Sequence, residues 1–169
     1  MYLAEVFYKK ILKKEPPYYA KYSLIKIIWK PLKKYLNVVI IPNIPFTSIR
    51  VSLYRLIGFK IGKNVFIGMK CYLDDIVDST NFEIGDNVTI SYGCYFASHG
   101  KGRGHRPIII KKGVYIGMRS NIMSNKEGIT IGENAIIGAA SLVNKNIPAN
   151  STAYGVPVKI QAKKEESLS

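Results

Sequence analysis

The sequence is short of acidic residues. Eleven Asp and Glu stand against 25 Lys and Arg in 169 residues, a formal net charge of +14, and a surplus of that size favours an anionic partner. Histidine is scarcer, with two residues, which excludes a zinc centre built on three imidazoles. The only cysteines are Cys71 and Cys94, and their spacing fits neither a metal site nor a disulfide framework. No apolar run approaches the roughly 18 residues of a membrane-spanning helix. Met1 to Lys14 holds four lysines and no uninterrupted apolar stretch ending in a small-residue cleavage site, so no secretory leader is expected there. These absences predict a cytoplasmic protein with reduced thiols.

What is present is unevenly placed. Residues 1–60 carry 12 basic and 2 acidic side chains, whereas residues 61–169 carry 13 and 9. The positive field therefore belongs mainly to the N-terminal third.

Beyond residue 60 a repeat takes over. Large apolar residues recur every six positions: Ile61, Ile67, Leu73; Ile84, Ile90, Phe96; Ile110, Ile116, Ile122; Ile131, Ile137, Val143. Gly follows at once in half of them. A small or β-branched residue stands four positions on in most, as at Val65, Cys71, Val88, Cys94, Ser120, Ala135 and Ser141. A period of six fits neither a helix nor an alternating strand. It fits a coil in which each hexad forms one face of a triangular prism, three hexads completing a rung of about 18 residues stacked at roughly 4.8 Å. The anchors and the small residues, both cysteines among them, point inward. Twelve hexads give about four rungs, an all-β solenoid over residues 61–148.

Three interruptions break the period, near Ser79 to Glu83, Gly102 to Ile109 and Glu127 to Ile129. Insertions of this kind project as loops, where function commonly resides. Before the repeat, residues 1–60 form a basic helical segment: Tyr19 to Leu36 has near-helical apolar spacing with interspersed lysines, and Pro31 is expected to kink or restart the helix. Pro42 and Pro45 mark an extended break, and Ser48 to Ile57 reads as a short helix with Ser48 as N-cap. Residues 149–169 are expected to be a non-repetitive tail.

The repeat resembles the left-handed parallel β-helix of the hexapeptide acyltransferases. The stretch IGENAIIGAASLVNKNIPANSTAYGVPVKI resembles the C-terminal signature of their sugar O-acetyltransferase branch, which includes maltose, galactoside, nodulation-factor and capsular or O-antigen acetyltransferases. The resemblance covers roughly Arg50 to Ile160. It implies transfer of acetyl from acetyl-CoA, with no metal, to a hydroxyl of a sugar or surface-glycan precursor, by a homotrimer with CoA between adjacent subunits. The match YFASHGKGRGHRP places the family's catalytic histidine at His99, at a loop entrance. Imidazole, with a reference pKa near 6.5, suits removal of a hydroxyl proton at neutral pH, and backbone N–H groups of an adjacent turn would stabilise the tetrahedral oxyanion.

Carried over by motif, the resemblance implies CoA contacts at Met118, Ala139, Asn144, Lys145 and Lys159, the two lysines meeting phosphates as point charges. Asn144 departs from the Thr often found there. Acceptor contacts are expected among Lys70, Asp74, Asp75, Tyr92, Arg103 and His105, with Arg106 a further candidate; Asp74 and Asp75 have corner or capping roles as an alternative, and His105 a loop-surface one. Tyr115 is adequately explained by packing. A γ-class carbonic anhydrase shares the prism but needs three histidine ligands. N-acetylation of an amino sugar or of serine, and a non-catalytic β-helical binding module, stand as the other readings. The basic N-terminal segment has three: a cap on the first rung, a seat on an anionic membrane surface at the inner membrane face, or nucleic-acid binding, which no aromatic-basic platform supports.

Overall fold

The computed structural model describes residues 3–15, 24–74, 82–99 and 105–162. The chain divides into two compact units, residues 1–36 and 37–169. The division expected at residue 60 thus falls inside the second unit.

In the first unit, α1 spans Leu3–Lys10 and α2 spans Leu24–Tyr35, with Pro31 inside α2 rather than at a restart. A π-helical turn follows at Leu36–Ile40, all but its first residue in the second unit, and then a 3-10 turn at Ile41–Asn43 that contains Pro42. Next comes α3 at Thr47–Leu56. Its N-cap is Phe46, two residues earlier than expected, and no side chain caps it, so Ser48 does not play that part.

The repeat folds as four coils of three short strands. The first holds β1 (Lys60–Ile61), β2 (Phe66–Ile67) and β3 (Tyr72–Leu73). The second holds β4 (Phe82–Ile84), β5 (Thr89–Ile90) and β6 (Tyr95–Ala97); the third, β7 (Ile108–Ile110), β8 (Tyr115–Ile116) and β9 (Asn121–Met123). The fourth holds β10 (Ile129–Ile131), β11 (Ile136–Ile137) and β12 (Leu142–Val143). Equivalent strands pair in parallel and in register, giving three faces ordered β1-β4-β7-β10, β2-β5-β8-β11 and β3-β6-β9-β12. The six-residue period dictates this, because each anchor lands beneath its equivalent one coil on. Ile67, Ile90, Ile116 and Ile137 are buried in one column, and Leu73, Phe96, Ile122 and Val143 in another. Burying each such side chain contributes on the order of 1.5–3 kcal/mol. Cys71 and Cys94 point inward, buried, with their thiols donating to the carbonyls of Ser91 and Gly117.

After each interruption the chain re-enters earlier than the hexad spacing suggests. Phe82, Ile108 and Ile129 each sit two residues before the anchor and are buried, since alternation along a three-residue strand turns both ends inward. Phe82 joins an edge-to-face series, Tyr54–Phe59–Phe82–Phe96, with centroids 5.4–5.6 Å apart.

The two ends of the stack are closed differently. The first coil has no strand beneath it, so its outward-facing carbonyls need donors from elsewhere. Arg50 Nε donates to Ile67 at 2.8 Å, Tyr54 to Cys71 at 3.2 Å, Asn37 Nδ2 to Leu73 at 2.7 Å and Arg55 Nε to Ile61 at 3.1 Å. Each face of the coil receives one. Burial pulls the Arg50 pKa down and pushes that of Tyr54 up. At the far end the expected tail instead forms a hairpin. β13 (Ser151–Tyr154) extends the second face in parallel from β11, and β14 (Lys159–Ala162) pairs antiparallel with β13.

Candidate active site

The prism edge between the third and first faces is where the chain leaves each coil through an interruption. Asp74 follows β3 on this edge and Ser98 and His99 follow β6 one coil later, because Leu73 pairs with Phe96. The register brings Asp74 Oδ2 within 2.6 Å of His99 Nδ1. The same oxygen accepts from the Ser98 backbone N–H at 2.7 Å and from its hydroxyl at 2.8 Å, while Oδ1 accepts from Tyr72 at 3.5 Å. Asp74 is buried, its side chain 1% exposed, whereas that of His99 is 53% exposed.

This geometry assigns the two residues different work. A carboxylate held by three donors takes the proton-bearing Nδ1 of the ring, which fixes the tautomer and leaves Nε2 with its lone pair. Asp74 is thus buried against His99, a corner position of the kind its sequence position also allowed. Ser98, unremarked in the sequence, completes the carboxylate's shell. The register sets residue 74 beside residue 97, one position before Ser98.

His105 comes back to this cluster, its ring centroid 5.3 Å from that of His99, with residues 105–107 held by the Arg106 N–H donating to the Ser98 carbonyl at 2.8 Å. Asp75 and Arg103 lie outside the described residues. Lys70 and Tyr92 are not in the cluster. They sit on the preceding edge, between the second and third faces, where Lys70 is pinned to the Ile41–Asn43 turn through the Pro42 carbonyl and the Asn43 side chain.

The expected CoA contacts also divide between edges. Met118 and Ala139 are exposed on the edge between the second and third faces, and the Met118 carbonyl already accepts from Ala140 at 2.8 Å. Asn144 and Lys145 are exposed on the His99 edge two coils further along, about 10 Å at the usual strand spacing. Lys159 is exposed on β14. Within one chain the third face separates the two sets, and its outer surface carries stacked Tyr72 and Tyr95 with exposed Met123. Neither cysteine faces the site: both sulfurs point into the core, where their mutual hydrogen bond raises the Cys94 pKa, with burial adding to it, and lowers that of Cys71.

Residues 58–96 and 107–145 match the family model described as the hexapeptide repeat of succinyl-transferase. A Staphylococcus aureus (strain COL) protein provisionally named an acetyltransferase is 40% identical over 117 residues, covering 64% of this chain and 57% of its own length. Galactoside O-acetyltransferase of Escherichia coli (strain K12) is 48% identical over 54 residues, 32% of this chain and 25% of that protein. The chain thus spans little more than half the length of the first of these relatives. Among solved structures, a hexapeptide-repeat acetyltransferase of Vibrio cholerae O1 biovar eltor, complexed with acetyl-CoA, superposes with a TM-score of 0.65 at 23% identity, covering 83% of this chain and 90% of that one.

Proposed function

Because the chain belongs to the hexapeptide-repeat acyltransferase superfamily, we propose that it moves an acetyl group from acetyl-CoA to a hydroxyl of a sugar or surface-glycan precursor, with His99 as general base. The observation that carries the reading is the 2.6 Å contact between an exposed imidazole and a buried carboxylate. Nε2 takes the proton of the acceptor hydroxyl as its oxygen attacks the thioester carbonyl. The tetrahedral intermediate collapses, the C–S bond breaks, and the departing CoA thiolate recovers the proton from the imidazolium. Asp74 stabilises that transient positive charge without accepting the proton.

His105 is the acceptor-side residue beside the base, its ring centroid 5.3 Å from that of His99. Met118 and Ala139 would line the pantetheine arm, with Asn144, Lys145 and Lys159 toward the phosphates. Their separation onto two edges is what a homotrimer would resolve, each cleft taking one edge from either neighbour. The named galactoside acceptor of the Escherichia coli relative supports a sugar hydroxyl here.

The test is release of free CoA thiol from acetyl-CoA across a panel of nucleotide- and lipid-linked sugars. Turnover with at least one is expected, and His99→Ala should lower it at least about a hundredfold while the oligomer persists in sedimentation. Undiminished turnover in that variant would remove His99 from the mechanism.

A further inference from the structure

The first unit takes no part in the chemistry above, yet it holds the densest charge in the chain. Residues 1–36 carry nine lysines against Glu5 and Glu15, and one of those acids is paired with Lys9 at 3.1 Å. The lysines of α2 are also segregated. At about 3.6 residues per turn, Lys26, Lys30, Lys33 and Lys34 occupy a little under a third of the helix circumference, with no apolar position among them. The remaining arc is Leu24, Ile25, Ile28, Pro31, Leu32 and Tyr35, and Ile27 and Trp29 fall at its two borders with the lysines.

Two further features accompany that division. Trp29, Leu32 and Tyr35, spaced three apart, form an exposed stripe along α2, 47%, 45% and 55% accessible. Around α1, Phe7, Ile11 and Leu12 are exposed beside Lys9, Lys10, Lys13 and Lys14. A phosphate backbone would reward the lysines but not the aliphatic stripe, and a second copy of the unit would reward the stripe but repel through the lysines. A bilayer surface with anionic headgroups rewards both, and Trp and Tyr favour its interfacial depth. Among the described residues no helix is long and apolar enough to cross a membrane, so the unit would lie on the surface.

We propose that α1 and α2 are an interfacial anchor for a membrane rich in anionic lipid, α2 lying in the headgroup plane with its Trp29–Leu32–Tyr35 stripe inserted and its lysines among the headgroups. This stands independently of the acyltransfer reading, since it concerns binding alone.

Trp29 is the chain's single tryptophan, so its emission reports α2 directly. The full-length chain would be titrated with phosphatidylcholine vesicles, with and without about a third phosphatidylglycerol, in matched sets brominated on the acyl chains. Expected are a blue shift and bromine quenching with the anionic vesicles alone, weakened as salt rises. Replacing Lys26, Lys30, Lys33 and Lys34 by Gln should weaken binding at least about tenfold, with the thermal melt of the second unit unchanged. Absence of quenching at low salt would overturn the proposal, as would equal binding to both vesicle types. An emission shift that depends on protein concentration without vesicles would assign the stripe to self-association instead. Tighter binding to duplex RNA than to anionic vesicles would assign the lysines to nucleic acid.

Discussion

Two edges of the same prism have been put to different uses. On the edge between the first and second faces every coil turns in the same way, with a left-handed residue at one equivalent position: Asn64, Asn87, Gly113, Asn134 and, at the start of the terminal hairpin, Asn150, at φ between +52° and +70°. Asn64 donates to Asn87 and Asn134 to Asn150, both at 3.3 Å, so the turns are stitched by their own side chains. The edge between the third and first faces has no such regularity. It interrupts the repeat and buries a carboxylate under a half-exposed imidazole. Where coils must stack, the repeat selects the residue that tolerates the turn; where chemistry is wanted, the turn is given up. The first edge should therefore respond to substitution in stability alone and the second mainly in turnover.

His99→Ala draws that contrast most sharply. Its side chain is 53% exposed and fills no part of the core, so the melting temperature should stay within about 2 °C, the range of surface substitutions, while turnover falls at least about a hundredfold. A large loss of stability in calorimetry would mean that the second edge is structural too. Asp74→Asn follows, with kcat down about 10- to 100-fold and KM little changed, as expected for a residue that positions the base without touching substrate. An amide cannot accept from Ser98 and from His99 Nδ1 at one oxygen and also keep its own N–H₂ satisfied in a buried site. A change confined to KM would return Asp74 to the acceptor site.

On the first edge, Asn87→Ala removes both the bond from Asn64 and the tolerance for φ +56°. The left-handed conformation costs an alanine about 1–2 kcal/mol, and thermal unfolding should show that loss with turnover unchanged. Asn87→Gly should restore most of it, as Gly113 already does one coil on. An Asn87→Gly variant as unstable as Asn87→Ala would make the side-chain ladder, and not the turn, the source of stability.

The stack was legible from sequence because a period of six leaves few alternatives: Ile67, Ile90, Ile116 and Ile137 had to share a column. The place of His99 at a loop entrance was legible through its motif. Asp74 was placed one coil from His99 with sugar-facing and corner roles both open, since whether a carboxylate faces solvent or a neighbouring ring depends on side-chain direction that spacing does not encode. The terminal hairpin was missed because β14 pairs antiparallel with β13, which ends the six-residue period that made everything before it readable. A cap on the first coil was among the readings of the N-terminal segment, but its donors were not legible for a related reason. Arg50, Tyr54 and Asn37 look like surface residues of an amphipathic stretch, and become buried donors only once the open carbonyls of β2 and β3 are known to face them.

Ser98→Ala is the smallest expected effect and the one that lies on the border between the two uses. Its hydroxyl donates to Asp74 Oδ2 at 2.8 Å, but the backbone N–H of the same residue supplies a second bond at 2.7 Å that the substitution leaves intact. Loss of one bond to a charged acceptor that keeps its others costs about 1.5 kcal/mol or less in stability. The carboxylate then has one donor fewer competing with His99 Nδ1, so the dyad itself survives and turnover should fall less than about tenfold. A double variant, Ser98→Ala with Asp74→Asn, separates the roles. If Ser98 acts only through the carboxylate, Ser98→Ala adds almost nothing in turnover to Asp74→Asn. Additive losses would instead put the Ser98 hydroxyl in contact with the reacting atoms.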